Sequence, residues 1–274
     1  MSEHRMVGPQ DEDYPVGLHD LEDPPILFVI GETTAAPAVA VVGTRRSTRY
    51  GMNLAMAFGN ALSDAGWTTV SGLARGIDAA AHRGTLRGDG EAVAVLGSGV
   101  DVIYPAENAD LYRSILDGRG AVMSEYPPGT RPDRWRFPAR NRIIAAIASA
   151  VVVVEAGEKG GALITARLAA ELGRPVLVVP GDVDRPASIG CNRLIRDGAH
   201  PVLGVEDLIV ELELILGAPP HSPVGNDAAI PATGVAIDDL PATWGCSPAE
   251  ALARLARMEI AGQVRRTGDV VLPI

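Results

Sequence analysis

The sequence predicts an α/β fold, a doubly wound and mostly parallel sheet, followed by a small C-terminal partial winged-helix-like module. Three observations carry the sheet. Short Val/Ala-rich runs each end in glycine, helix-compatible segments alternate with them, and most of the runs are apolar along their length rather than at every second position. Such runs read as strands buried on both faces, as a parallel sheet covered by helices requires. At 274 residues and 47% hydrophobic, the chain can bury a substantial core.

In chain order, residues 1–37 are acidic and contain Asp23-Pro24-Pro25, so they are expected to form an extended lead-in with little fold of its own. Then come the strands: "AVAVVG" to Gly43, "TTVSG" to Gly72, "AVAVLG" to Gly97, "AVVVVEAG" to Gly157 and "PVLVVPG" to Gly181. Their terminal glycines line up at the carboxyl edge of the sheet, where open α/β sheets bind ligands at the topological switch point. Residues 38–216 therefore form one domain. Residues 217–231, rich in Pro, Gly and Ala without periodicity, read as a linker. In 232–274, Ser247 as N-cap, Pro248 at the first helical position and Glu250 two further on make a capping box. The segment "GQVRRTGDVVLPI" then reads as a hairpin turning at Gly268-Asp269, which makes this region part of a winged-helix module.

Composition narrows the function. No apolar run approaches the ~18–20 residues that span a bilayer, and no basic segment leads into an apolar one, so a cytoplasmic protein without membrane partners is expected. Cys191 and Cys246 lie far apart with no second Cys or His at ligand spacing, so neither a disulfide framework nor a metal site is indicated, and no cofactor is expected. The 24 Lys plus Arg against 34 Asp plus Glu, a net charge of −10, argue against general coating of nucleic acid. The field at a cleft is set locally, however. In "RPDRWRFPARNR", residues 131–142, five arginines face one acid, Asp133.

The candidate sites cluster at the glycine turns. "VVGTRRSTRYG" is strand, turn and helix start, with Gly43, Thr44 and Arg45 offering backbone N–H groups and cations to a phosphate. It lacks G-x-G-x-x-G, and Ser71 stands where a dinucleotide site has a ribose-binding acid. "SGLARGID" adds Gly72 and Arg75; its Asp78 and His82 read as capping or core hydrogen-bonding groups. Pro138 opens a helix that places Arg140, Asn141 and Arg142 in its first turns, where the macrodipole disfavours cations by ~0.3–1 kcal/mol each. They read either as ligands of an external anion or as partners of Glu125, Asp133 or Glu155. Trp135 and Phe137 read either as base-stacking surfaces or as core. Gly160-Gly161 is a further phosphate-type turn. No nucleophile stands with a base, and no Walker, H-E-x-x-H or G-x-S-x-G motif occurs, so binding rather than catalysis is expected.

Taken in order, "VAVVGTRRSTRYG", "SGLARGIDAAAHRGTL", "AVLGSGVDVIYPAEN", "SEYPPGTRPDRWRFPARNRIIAAIA", "GGALITARLAAELGRPVLVVPG" and "GCNRLIRDGAHPV" resemble the DprA/Smf family of DNA-processing proteins over about residues 38–203. The resemblance implies an extended Rossmann-like domain that binds single-stranded DNA, protects it during natural transformation, helps load the recombinase RecA, and forms homodimers. It also implies a strand-binding site made by Gly43, Thr44, Arg45, Gly72, Arg75, Arg134, Arg140, Asn141 and Arg142. The chain departs from the family pattern at "GGALITA", where relatives often show "SGSLITA". The competing readings are a nucleotide phosphoribohydrolase-like enzyme on a related fold, and a carrier of a small phosphorylated ligand. The first lacks its glutamate, since Ala166 and Arg167 stand there. The second leaves the arginines of 131–142 unexplained.

Overall fold

The protein is described by a computed structural model covering residues 4–32, 37–88, 90–219, 230–231, 233–244 and 264–273, with residues 248, 251–252, 255 and 258–259 between the last two segments. It divides into two compact units, Met1–Ser222 and Pro223–Ile274.

The first unit is a nine-stranded sheet covered by helices. Its strands are β1 (Arg5–Val7), β2 (Leu27–Gly31), β3 (Ala38–Val42), β4 (Thr68–Ser71), β5 (Ala92–Val95), β6 (Gly120–Ser124), β7 (Ala150–Val153), β8 (Val176–Val178) and β9 (His200–Pro201). The helices are α1 (Arg49–Asp64), α2 (Ile77–Thr85), α3 (Ala109–Asp117), α4 (Arg136–Ile147), α5 (Gly161–Glu171), α6 (Ile189–Arg196) and α7 (Val205–Leu216). The strand order is β1-β2-β6-β5-β4-β3-β7-β8-β9. From β6 to β9 every pairing is parallel, and β1 and β2 close one end in antiparallel fashion.

The uniformly apolar runs are explained by packing on both faces. Along β3, Val39 and Val41 sit in a core with Phe58 and Leu62 of α1, Ile77 of α2 and Leu208 and Leu212 of α7. Ala40 and Val42 face the opposite core, with Ile143 and Ile144 of α4 and Ala166 and Ala169 of α5. A third core joins β5 and β6 to α3 through Ala94, Val122, Leu111 and Ile115. From β3 the chain winds outward through β4 to β6, then crosses back to β7 on the other side of β3. The topological switch point thus lies between β3 and β7, which pair in register from Val39↔Ala150 to Val42↔Val153.

One expectation is corrected. The lead-in 1–37 is not an extended tail: β1 and β2 belong to the sheet, and β2 pairs with β6 through Phe28↔Ser124 to Gly31↔Ala121. Leu27 and Val29 are buried, as is Leu18 in the short 3-10 helix Val16–Asp20. The apolar run "ILFVIG" outweighs the acidic residues and prolines around it, because burying it gains ~25 cal/mol per Å² of apolar surface. β6 and β9 also lie outside the five runs singled out in the sequence.

In the second unit, β10 (Val235–Ala236), β12 (Val270–Pro273) and β11 (Val264–Thr267) form an antiparallel sheet, with α8 (Leu240–Trp244) before the hairpin. The hairpin turns at Gly268-Asp269, where Gly268 takes φ +64°. Leu240, Trp244, Ala251, Leu255, Val264 and Val271 make its core. The proposed cap residues Ser247 and Glu250, most of the 217–231 linker, and Cys246 lie outside the described residues. Among the described residues no helix is long and apolar enough to cross a membrane.

Candidate nucleic-acid interface

At the carboxyl edge of the sheet, over the β3/β7 switch point, opens a cleft of about 980 Å³. It is lined by the turn after β3 (Gly43, Thr44, Arg45, Arg46), the turn into α5 (Gly157 to Gly161) and the start of α4 (Arg134, Phe137, Pro138, Arg140, Asn141), with Tyr104 and Asp78. Its lining carries six cations, Arg45, Arg46, Arg134, Arg140, Lys159 and Arg167, against two carboxylates, Asp78 and Glu158. In a chain of net charge −10, that inversion is local and specific.

Ion pairing separates the candidate arginines into groups. Among the described residues, Arg45, Arg46, Arg134 and Lys159 have no carboxylate within salt-bridge distance; their charge faces the cleft unneutralised. Arg75 is paired with Glu107 at 2.5 Å, and Arg142 with Glu125 at 2.6 Å. Neither lines the cleft. Arg142 points away because α4 turns ~100° per residue, so a residue two along from Arg140 lies on nearly the opposite face.

Arg140 lines the cleft floor but is only 3% exposed. It donates to the Gly72 carbonyl at 2.9 Å, to the Val95 carbonyl, and through Nε to Asn141 Oδ1 at 3.2 Å. Burial pushes its pKa down to about 10, opposed by the nearby Asp78 carboxylate. Asp78 accepts from Gly72 N–H at 3.1 Å, and burial raises its pKa despite the Arg140 charge. Arg140 is therefore a buried strut joining the ends of β4 and β5 to α4. A buried guanidinium fork fits several carbonyls at once, which is why an arginine can serve here. His82, one turn along α2 from Asp78, is fully buried, and desolvation lowers its pKa to about 3.

The glycines also divide. A Cβ on Gly43 would come 2.4 Å from Ile77 Cγ1, and one on Gly72 would come 2.3 Å from the Arg140 guanidinium. Internal packing demands both. A Cβ on Gly160 would meet nothing within 4 Å, and on Gly161 only Asn141 Nδ2 at 3.5 Å, so this turn lies open to the cleft. The first turn, by contrast, is largely occupied by the protein's own groups. Thr44 N–H donates to the Glu155 carbonyl at 2.7 Å, Arg46 N–H to Thr44 Oγ1 at 3.2 Å, and Thr48 N–H to the Glu155 carboxylate at 2.9 Å. Glu155 thus holds the N-cap residue Thr48, whose Oγ1 accepts from Gly51 N–H at 3.0 Å, and its charge complements the dipole of α1. The open helix end is that of α5, where Gly160 provides no side-chain cap. Asn141 supports the turn by donating to the Gly161 carbonyl at 3.1 Å.

The two aromatic candidates differ as well. Trp135 is 58% exposed and lies outside the cleft lining, edge-on to Tyr126 with ring centroids 6.0 Å apart. Its Nε1 donates to Asp133, and the Arg136 guanidinium lies 5.1 Å from its ring. Phe137 lines the cleft half-buried, with Arg45 4.8 Å over its ring and Tyr104 at 5.3 Å. Tyr104 and Lys159, both cleft residues, escaped the sequence reading. An aromatic in the loop that follows β5, in "VIYP", is the signal that could have found the tyrosine.

Residues 5–213 match the protein family described as DNA recombination-mediator protein A. The chain is 42% identical over 227 residues to Protein Smf of Synechocystis, an alignment covering 78% of this chain and 57% of that protein. It is 38% identical to the putative DNA processing protein DprA of Mycobacterium tuberculosis, covering 94% of this chain and 74% of the relative. Among solved structures, DNA processing protein A of Streptococcus pneumoniae superposes with a TM-score of 0.72 at 39% identity, over 76% of this chain and 74% of that one. DNA processing protein A of Helicobacter pylori, whose structure is described as showing a unique single-stranded DNA binding mode, superposes with a TM-score of 0.70 at 29% identity, over 78% and 97%. With the family match across most of its length and relatives near 40% identity, the chain belongs to the DNA recombination-mediator protein A family of DNA processing proteins.

Proposed function

We propose that this protein binds single-stranded DNA in the switch-point cleft, protects it, and hands it to the recombinase RecA during recombination or natural transformation, without catalysing a reaction. The single observation that carries this reading is the set of unpaired cations, Arg45, Arg46, Arg134 and Lys159, gathered in one cleft of an acidic protein. A phosphate backbone is the polyanion that such a set neutralises, with the N–H groups of the open Gly160-Gly161 turn as a seat for one phosphate. In this reading residues 38–216, completed by β1 and β2, carry the DNA site, 217–231 link it to 232–274, and two copies associate. Exposed Val210 and Leu214 on α7 support self-association.

In this reading the candidate residues divide their work. Arg45, Thr44, Arg134, Gly160 and Gly161 face the strand; Gly43, Gly72, Arg140 and Asn141 build the cleft; Arg75 and Arg142 are held in ion pairs beside it. The test is fluorescence anisotropy of an unstructured single-stranded oligonucleotide and its duplex at several salt concentrations. About four neutralised phosphates give a slope of log K against log salt of roughly −3 for a single strand. Arg134→Ala should weaken binding and make the slope shallower by roughly 0.7, while Arg142→Ala should leave both unchanged. A salt-independent wild type, or equal losses in the two variants, would remove the cleft from the binding site.

A further inference from the structure

We infer that Tyr104 is the base-stacking surface of this cleft, an assignment that rests on the single-strand reading and deepens it by naming the residue that meets the bases. Tyr104 combines exposure and rigidity in a way neither other aromatic candidate does. It is 43% exposed and lines the cleft. Phe137 is enclosed: Arg45 lies over its ring, Tyr104 is beside it, and its Cδ1 packs so closely on Gly97 that a Cβ there would come within 2.9 Å. Its role is to support the tyrosine ring, whose plane is tilted 32° from its own. Trp135 is exposed but lies off the cleft, engaged with Tyr126 and Arg136.

The loop that carries Tyr104 is held firmly. Val100 is fully buried, Ser98 Oγ donates to the Val102 carbonyl at 2.8 Å, and Tyr112 Oη donates to the Val100 carbonyl at 2.8 Å. Gly99 N–H donates to the Thr130 carbonyl at 2.9 Å, and Gly129 N–H to Asp101 Oδ1 at 2.7 Å, joining this loop to the segment before α4. A ring fixed before binding loses little conformational freedom when a base settles on it. Its neighbours complete the chemistry of single-strand recognition: unpaired cations for the phosphates beside an aromatic face for the bases. Every base has a π-face, so the surface is indifferent to sequence.

The test compares two fluorescent oligonucleotides of equal length, oligothymidylate and one of abasic sites with the same phosphates, on the full chain. Tyr104→Ala should weaken oligothymidylate binding by roughly 5- to 150-fold, the range of one to three kcal/mol of stacking, and leave the abasic strand within about 2-fold of wild type. Tyr104→Phe should restore binding of oligothymidylate. Equal losses on both strands, an unchanged affinity for oligothymidylate, or no rescue by phenylalanine would overturn the assignment of Tyr104 alone. Wild-type protein that binds neither strand would overturn the single-strand reading and this assignment with it.

Discussion

Replacing Arg140 distinguishes a residue that builds the cleft from one that touches a ligand. In Arg140→Ala the Gly72 and Val95 carbonyls lose a buried donor and Asp78 loses the charge that offsets its burial. Removing one partner of a buried charge pair costs about 3–5 kcal/mol, chiefly because the other charge is left uncompensated. For a unit of this size, each kcal/mol lowers Tm by about 2–4 °C, so the variant should melt roughly 6–20 °C below wild type. Asp78 should respond by titrating still higher, since the Arg140 charge is the largest effect now opposing its desolvation. Arg134→Ala should leave Tm within about 2 °C, because its guanidinium is exposed and forms no ion pair among the described residues. Circular dichroism melts of both variants, paired with oligonucleotide anisotropy well below the lower midpoint, provide the comparison. An Arg140→Ala protein that melts with wild type yet no longer binds the strand would refute the reasoning, because its guanidinium would then have to be at the ligand rather than under it.

Two further outcomes follow from the same geometry. Gly72→Ala should destabilise by about 1–3 kcal/mol through its clash with the Arg140 guanidinium, whereas Gly160→Ala, with open space and an extended φ of 163°, should cost less than about 1 kcal/mol; urea midpoints of the two variants would show the difference. His82 should confer acid sensitivity. Its pKa falls from 6.5 to about 3 on folding, so the unfolded state binds more protons between those values, and the stability present above pH 6.5 is lost as pH drops toward 3. The slope approaches 1.4 kcal/mol per pH unit inside that window, and His82→Gln should flatten it; an unchanged pH profile of urea stability would rule the histidine out as the source.

Five of the parallel strands, β3, β4, β5, β7 and β8, were legible because each run closes on a glycine, whereas β6 and β9 were not singled out. Runs such as "AVAVV" and "AVVVV" have no polar face to show, and the glycine after each marks the carboxyl edge where the cleft lies. β2 was hidden by its neighbours: the acids and prolines before Leu27 and Val29 suggested a tail, although both are buried in the sheet. The candidate site was legible as a concentration of arginines and illegible in its division of labour. Nothing in "FPARNR" tells that Arg140 turns inward to carbonyls from β4 and β5 while Arg142 turns to Glu125, since those partners lie up to 68 residues away in the chain. Nor could the turn after β3 reveal that Glu155, 107 residues beyond Thr48, already fills it.

The placement of β2 and β3 sets the order in which a growing chain can assemble. Both strands leave the ribosome early, yet β2 waits for β6, with Ile30 meeting Val122, and β3 waits for β7, with Val39 meeting Ala150. Until about residue 153 has been synthesised, one edge of β3, a strand buried along its whole length, is bare. Long waits of this kind slow folding and expose unpaired edges to other chains. Translation speed over the segment from β3 to β7 therefore bears directly on how much of this protein reaches its native state, and a stall shortly before β7 should be more damaging than one after it.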